Sequence, residues 1–263
     1  MPVIKLQNVS KLYGFGDATT VALDSVDLLV DKGEFIAIMG PSGSGKSTLM
    51  NIMGLLDRAT NGTYVLDNKN VSKLRGTQRA KWRRDKIGFI FQDANLLPRM
   101  TVIENVALPL AYKGVTPVKR LKKASEILEK LGMQEREYYM PHQLSGGQIQ
   151  RAAIARALVN EPSIILADEP TGNLDTLNSR KIMRVLKDLH KTGNTILMVT
   201  HNPELTRYAD RVILMRDGQI QHDDELAAGE MVDLKKIVEE EPKKKRIQTI
   251  KPKKPGHKRR KRR

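Results

Sequence analysis

Phe35-Ile-Ala-Ile-Met-Gly-Pro-Ser-Gly-Ser-Gly-Lys-Ser-Thr-Leu-Met50 opens with five apolar residues and continues with a glycine-rich turn. Phe35 to Met39 is suited to a short strand buried on both faces. Gly40 to Ser47 matches G-x-x-x-x-G-K-[ST], and a helix is expected to begin near Gly45. The residue types follow from the ligand such a turn serves. Glycines let successive backbone N–H groups converge on an anion. The helix N-terminus adds a partial positive charge of about half a unit. Lys46 reaches the β- and γ-phosphates, and the Ser47 hydroxyl ligates Mg²⁺. A nucleoside triphosphate is therefore expected on Gly40, Pro41, Ser42, Gly43, Ser44, Gly45, Lys46, Ser47 and Thr48.

Towards the N-terminus, Val3 to Leu6 alternates as a strand and Leu23 to Val30 offers a second. Gly14, Gly16 and Asp17 mark the turn between them, with Tyr13 just before it. Tyr13 is either ordinary packing or a platform on which adenine stacks. Towards the C-terminus, Thr60 to Thr63 reads as a turn into Tyr64 to Leu66, followed by a turn at Asp67-Asn68. Residues 72–86 are strongly basic and helical in pattern, with Trp82 the only tryptophan. Ile87 to Phe91 reads as another buried strand, closing on Gln92. A polar residue at that end of a strand points to the ligand crevice of an open α/β sheet.

From Asp93 to about Glu161 helical patterns replace strand patterns, and Pro98, Pro109, Pro117 and Pro141 punctuate the segment. Ala124, Ile127, Leu128 and Leu131 recur at helical spacing. An insertion of this size predicts a helical subdomain, at about 93–160, able to move against the core. Within it, Leu144-Ser145-Gly146-Gly147-Gln148 precedes a helix through Ile154, Ala155 and Leu158. Ser145 is placed to cap that helix, leaving its N–H groups open to an anion.

Ile164 to Glu169 is a second buried strand, ending in two carboxylates. Asp168 is expected to hold Mg²⁺, and Glu169 to orient or deprotonate the attacking water. Asp175 follows shortly after. A helix over 177–190 and a strand from Thr195 to Val199 come next. The strand ends in Thr200-His201, where the imidazole can reach a γ-phosphate. Val212 to Met215, the turn Arg216-Asp217-Gly218 and Gln219-Ile220 read as a closing hairpin. A helix is expected over 226–242, beginning close to Glu225.

The 263 residues suffice for a sizeable core. The absence of cysteine excludes disulfides, thiolate metal sites and cysteine nucleophiles, and fits a reducing compartment. No apolar run approaches the roughly 18 residues that span a bilayer. The start, Met-Pro-Val-Ile-Lys-Leu, lacks the apolar stretch of a secretory signal. Work at a membrane would thus pass through a partner. The net charge of +16 is concentrated at one end: residues 243–263 hold 13 Lys or Arg and no acid, which leaves +3 for the rest (16 − 13). This tail has no core-forming capacity and is expected to be disordered. Anionic lipid or nucleic acid are its candidate partners.

Taken together, Gly40–Ser47, Leu144–Gln148 and Glu161–Glu169 resemble the motifs of the ATP-binding-cassette (ABC) ATPases, over residues 3 to about 225. The resemblance implies an α/β fold: a P-loop NTPase (RecA-like) core with a small antiparallel β subdomain and the inserted helical subdomain. It further implies that ATP with Mg²⁺ is hydrolysed, that Tyr13 stacks on adenine, and that Gln92 is the lever residue sensing Mg²⁺ and a membrane subunit. Glu169 becomes the catalytic carboxylate, His201 the switch histidine, and Asp175 a residue of the subunit contact. Ser145, Gly146, Gly147 and Gln148 would complete the nucleotide site of a second copy. Phe91-Gln92, Asn95-Leu96-Leu97-Pro98, Glu104-Asn105-Val106 and Pro170 to Asp175 look like the macrolide-export and lipoprotein-release group. Ile149 and Asn202 depart from the usual glutamine and aspartate, at positions without known chemistry. The implied function is the energy subunit of an exporter or extractor, peripheral on the cytoplasmic face of the membrane through a separate permease. A mechanotransmission ATPase and a soluble nucleic-acid-associated member of the family are the alternatives.

Overall fold

The computed structural model describes residues 2–14, 19–226 and 229–230. Gly16 and Asp17 of the expected first turn lie outside the described residues. So do the basic tail and the C-terminal helix, apart from residues 226, 229 and 230.

The chain begins with β1 (Pro2–Tyr13) and β2 (Thr20–Asp31), an antiparallel pair. Both strands are longer than their alternation suggests. The pattern breaks at Gln7-Asn8, where Asn8 adopts φ +49° and the register shifts between Leu6 and Val9. Such a bulge restores the inward face, so that Val9 is buried with Ile4 and Leu6. The all-apolar β3 (Phe35–Met39) leads through the glycine-rich turn into α1 (Lys46–Met53). Then come β4 (Asn61–Leu66), the short β5 (Lys69–Asn70), α2 (Gly76–Lys86) and β6 (Ile87–Ile90). The expected turn over Thr60–Thr63 is thus mostly strand. Gly62 sits where a Cβ would lie 2.4 Å from the Asn8 carbonyl oxygen, so glycine serves a close backbone approach. The basic helix also starts later than expected, because 72–73 forms a turn and 74–75 has no regular structure.

Helices α3 (Val102–Tyr112) and α4 (Pro117–Lys130), with α5 (Gly146–Leu158), make up the helical segment. The chain closes with β7 (Ile164–Asp168), α6 (Thr176–Lys191), β8 (Ile196–Val199), β9 (Arg211–Arg216) and β10 (Gln219–Glu225). The closing hairpin is longer than read from sequence, and Glu225 belongs to β10 rather than to a following helix.

Two sheets result. One is antiparallel, ordered β2-β1-β4-β5; the other is ordered β10-β9-β3-β8-β7-β6 and is parallel except for β10. The central strands are apolar throughout because they serve two cores. Ile36 and Ile38 of β3 join the core shared with α1 and the antiparallel sheet, while Phe35, Ala37 and Met39 face α5 and α6. β7 divides likewise, Ile164 and Leu166 against Ile165 and Ala167. Full burial contributes roughly 1.5–3 kcal/mol for each large side chain, so a one-residue slip would forfeit both cores. A third core holds α3, α4 and one face of α5 together through Val106, Leu110, Leu128 and Ala155. Helix α5 spans two cores, since its Ile154 and Ala157 pack on the parallel sheet.

The parallel register aligns the carboxyl ends of the strands. Met39, Asp168, Val199 and Ile90 finish on one edge, and the loops that leave them carry the polar residues.

Candidate functional site

A cavity of about 810 Å³ opens at that edge. It is lined by Gly40, Pro41, Ser42, Gly43, Lys46 and Ser47 from the turn after β3. Gln92 enters from the end of β6, Asp168 and Glu169 from β7, and His201 from the loop after β8. Four separately predicted stretches therefore converge on one space.

The turn is shaped for close approach. Gly40 has φ +150°, and a Cβ there would lie 2.1 Å from the Met215 carbonyl oxygen. Gly45 at φ +98° caps α1 without any side-chain bond, so the first N–H groups of the helix stay available to an anion. Lys46 Nζ donates to the carbonyl oxygens of Gly40 (2.8 Å) and Pro41 (2.7 Å). Burial pushes its pKa below the usual lysine range, against an upward pull from Glu169 and Asp168. The Asp168 carboxyl is raised above the usual range, first by burial and then by the charge of Glu169, with Lys46 pulling the other way. Two acids and one ammonium thus share a partly dry pocket. Such an arrangement favours a ligand that adds both anionic phosphate and a cation.

Glu169 is gripped from β8. Its Oε1 accepts the backbone N–H of His201 (2.9 Å) and lies 2.8 Å from His201 Nδ1, while Thr200 Oγ1 donates to Oε2 (3.2 Å). Glu169 itself adopts φ +44°, a left-handed conformation that costs a non-glycine residue of order 1–3 kcal/mol. Gln92 Nε2 donates to Asn173 Oδ1 (3.1 Å), and Asn173 in turn donates to Asp93 Oδ1 (2.7 Å). Helix α5 holds the backbone of the same loop. Gln150 Nε2 donates to the Phe91 carbonyl (3.0 Å), and the Arg156 guanidinium donates to Ala94 and Asn95.

Other expected residues lie elsewhere. Tyr13 is not part of the cavity lining; its hydroxyl donates to Asp57 Oδ2 (2.9 Å) and also bonds Thr48 on α1. Ser145 caps α5 reciprocally with Gln148: the Ser145 N–H donates to Gln148 Oε1 (2.9 Å) and the Gln148 N–H to Ser145 Oγ (3.4 Å). Ser145 and Gly146 are exposed, Gly147 packs beside Asn178, and none of the three lines the cavity. Asp175 caps α6, accepting from the Asn178 N–H (2.8 Å), and that bond holds its carboxyl below the usual range.

Sequence reasoning missed several neighbours. Thr200, Asn173, Gln150 and Arg156 carry no motif of their own, and the β9–β10 hairpin reads in sequence only as a closing element. Yet Arg216, Gln221 and His222 of that hairpin line the cavity. Their only signal was proximity in sequence to recognised motifs.

A glycine cradle leading from a buried strand into an uncapped helix, with a lysine, a strand-end acid pair and a histidine around one cavity, defines a P-loop nucleotide-hydrolysing protein. The family profile described as ABC transporter matches residues 23–172. The chain belongs to the ABC transporter family, as an ATP-binding, ATP-hydrolysing cassette. It is 50% identical over 222 residues to the uncharacterized ABC transporter ATP-binding protein YvrO of Bacillus subtilis, covering 84% of this chain and 97% of that protein. It is also 50% identical over 222 residues to the macrolide export ATP-binding/permease protein MacB of Hyphomonas neptunium, but spans only 34% of its length. Among solved structures, it resembles the dimeric post-hydrolysis ATP-binding cassette MJ0796 bound to ADP and Pi. The TM-score is 0.77 and the identity 45%, over 85% of this chain and 99% of that one. Among the described residues no helix is long and apolar enough to cross a membrane.

Proposed function

We propose that this cassette works as half of an ATP-sandwich dimer and powers export or extraction of a substrate through a separate integral-membrane permease. One observation carries the reading. Within a single chain the cavity has the P-loop and Glu169 but not Ser145, Gly146 or Gly147, which stand exposed or packed beside α6. A second copy, facing the first, would bring the partner's Ser145, Gly146 and Gly147 to the γ-phosphate and Asp175 to the contact between copies. Dimeric MJ0796 supports this arrangement.

In each pocket the P-loop N–H groups and Lys46 bind the phosphates, while Tyr13 stacks on the adenine. Ser47 and Asp168, with Gln92 beside them, are a hydroxyl, one carboxylate and an amide, the sparse oxygen set that suits Mg²⁺ held together with phosphates. Held by these residues, Mg²⁺ would supply positive charge to offset that of the bound phosphates. Glu169 takes the proton of the attacking water, its carboxylate kept in place by Thr200 and His201. Gln92 connects this pocket, through Asn173 and the clamp from α5, to the helical segment, so closure of the dimer turns that segment.

A second cavity of about 970 Å³ lies beside Gln92's loop, with Phe89, Phe91 and Tyr112 among its apolar lining and Lys81, Arg83 and Arg84 among its cations. It is the place for the permease to dock, which would make the cassette peripheral to the membrane on its cytoplasmic side. The basic residues of 243–263 would add attraction to anionic lipid, about 1 kcal/mol for each one at the surface. The YvrO name is that of an ATP-binding protein, whereas the MacB name joins ATP-binding and permease parts in one protein.

The test is isolation of the Glu169→Gln cassette from its native membrane with ATP and identification of what accompanies it. A stoichiometric integral-membrane protein whose retention depends on ATP is expected. Preparations that contain no membrane protein, or that hold ribosomes or nucleic acid instead, would overturn the reading.

A further inference from the structure

We infer that Lys11 and Asp57 form a built mount for Tyr13, making them positioning residues for binding of the adenine base. This rests on the reading of Tyr13 as the base platform. Tyr13 ends β1 with 43% of its surface exposed, so polar neighbours can reach both its hydroxyl and a face of its ring. Two side chains do so. Asp57 accepts from the Tyr13 hydroxyl on Oδ2 (2.9 Å) and from Lys11 Nζ on Oδ1 (2.9 Å). Lys11 Nζ also donates to the Arg58 carbonyl (2.9 Å) and stands 4.7 Å from the centroid of the Tyr13 ring.

The geometry has a chemical consequence. One face of the ring is taken by an ammonium, so a base can stack only on the other. The cation draws density from the ring, and its own charge is balanced at once by Asp57. Asp57 stays ionised for this purpose: burial pulls its carboxyl up, but Lys11, the Arg58 N–H and Tyr13 outweigh that pull and hold it below the usual range. Since Asp57 follows α1 closely and Thr48 on α1 bonds the same phenol, the platform is tied to the helix that holds the phosphates. Base and triphosphate sites are thereby kept at a fixed separation, which is where preorganisation adds affinity.

The test compares calorimetric affinities of the full chain, carrying Glu169→Gln to prevent turnover, for ATP and for inorganic tripolyphosphate, both with Mg²⁺. Tyr13→Ala is expected to weaken ATP about tenfold, the scale of one lost aromatic stack, and to leave tripolyphosphate unchanged. Asp57→Asn and Lys11→Met are expected to weaken ATP about three- to tenfold, again without effect on tripolyphosphate. Adding Asp57→Asn to Tyr13→Ala should cost nothing further. If Tyr13→Ala discriminates between the ligands while Asp57→Asn and Lys11→Met bind ATP as the parent does, the mount is wrong and the platform stands. If those two variants weaken both ligands alike, the pair is merely structural and the inference is overturned. If Tyr13→Ala binds ATP normally, the platform reading fails and the mount falls with it.

Discussion

Glu169 Oε1 is held twice by one residue, 2.8 Å from His201 Nδ1 and 2.9 Å from the His201 backbone nitrogen. The carboxylate just after β7 is therefore aimed by the loop after β8, the adjacent strand in the sheet. A base aligned in this way loses more when removed than when its support is removed. Glu169→Gln is expected to lower the ATPase rate by about 10³-fold with ATP affinity nearly unchanged. His201→Ala should lower the rate by about 10–100-fold, because Thr200 and the backbone N–H still hold the carboxylate. A steady-state rate for Glu169→Gln within tenfold of the parent would remove it as the base.

Asp168 yields a prediction in pH. Its carboxyl is raised by burial and by Glu169, so the folded state favours the protonated form. Its contribution to stability is fully present below the ordinary carboxylate value and is lost as pH rises through the folded value. At neutral pH the charged group therefore strains the fold. Asp168→Asn should stabilise the nucleotide-free cassette at pH 7, while Mg²⁺-dependent turnover is lost. That gain should shrink towards zero as pH falls into the ordinary carboxylate range. Thermal melts of parent and variant across pH measure it, and a gain that grows at low pH would contradict the sign.

Asn105 yields a prediction in stability. It is fully buried, and its amide donates to the carbonyls of Leu97, Met100 and Thr101 while accepting from the Leu97 N–H (2.7 Å). One side chain thus organises the loop that connects Gln92 to α3. Asn105→Ala would leave several buried backbone groups unpaired, at a cost of about 3 kcal/mol. Hydrogen exchange should show the loss of protection concentrated at 94–105, with the core strands β3 and β7 little changed. Uniform loss across the sheet would show that the loop is not a separate unit.

What could be read from the chain depended on how local the cause was. Phe35–Met39 announced itself because burial on both faces leaves no polar residue in the run. The glycine-rich turn was equally legible, since an anion nest is made by consecutive backbone. The first strand reads short in sequence because the bulge at Asn8 interrupts its alternation. Its partner Gly62 looked like a turn, because a close backbone approach and a bend use the same residue. Around the cavity, Glu169, His201 and Gln92 stand at strand ends, where local pattern can place them. It does not place their partners: Thr200 meets Glu169 and Asn173 meets Gln92 only after the sheet order is set. The mount of Tyr13 on Asp57 spans 44 residues of chain and leaves no trace in local pattern.

Sedimentation of the Glu169→Gln cassette with and without Mg²⁺ and ATP tests the shared pocket most directly. A monomer without nucleotide and a dimer with it are expected, and Ser145→Arg, which obstructs the helix end offered to the other copy, should abolish the dimer. A chain that stays monomeric with saturating ATP, in a preparation whose unmutated parent still hydrolyses ATP, would contradict the account.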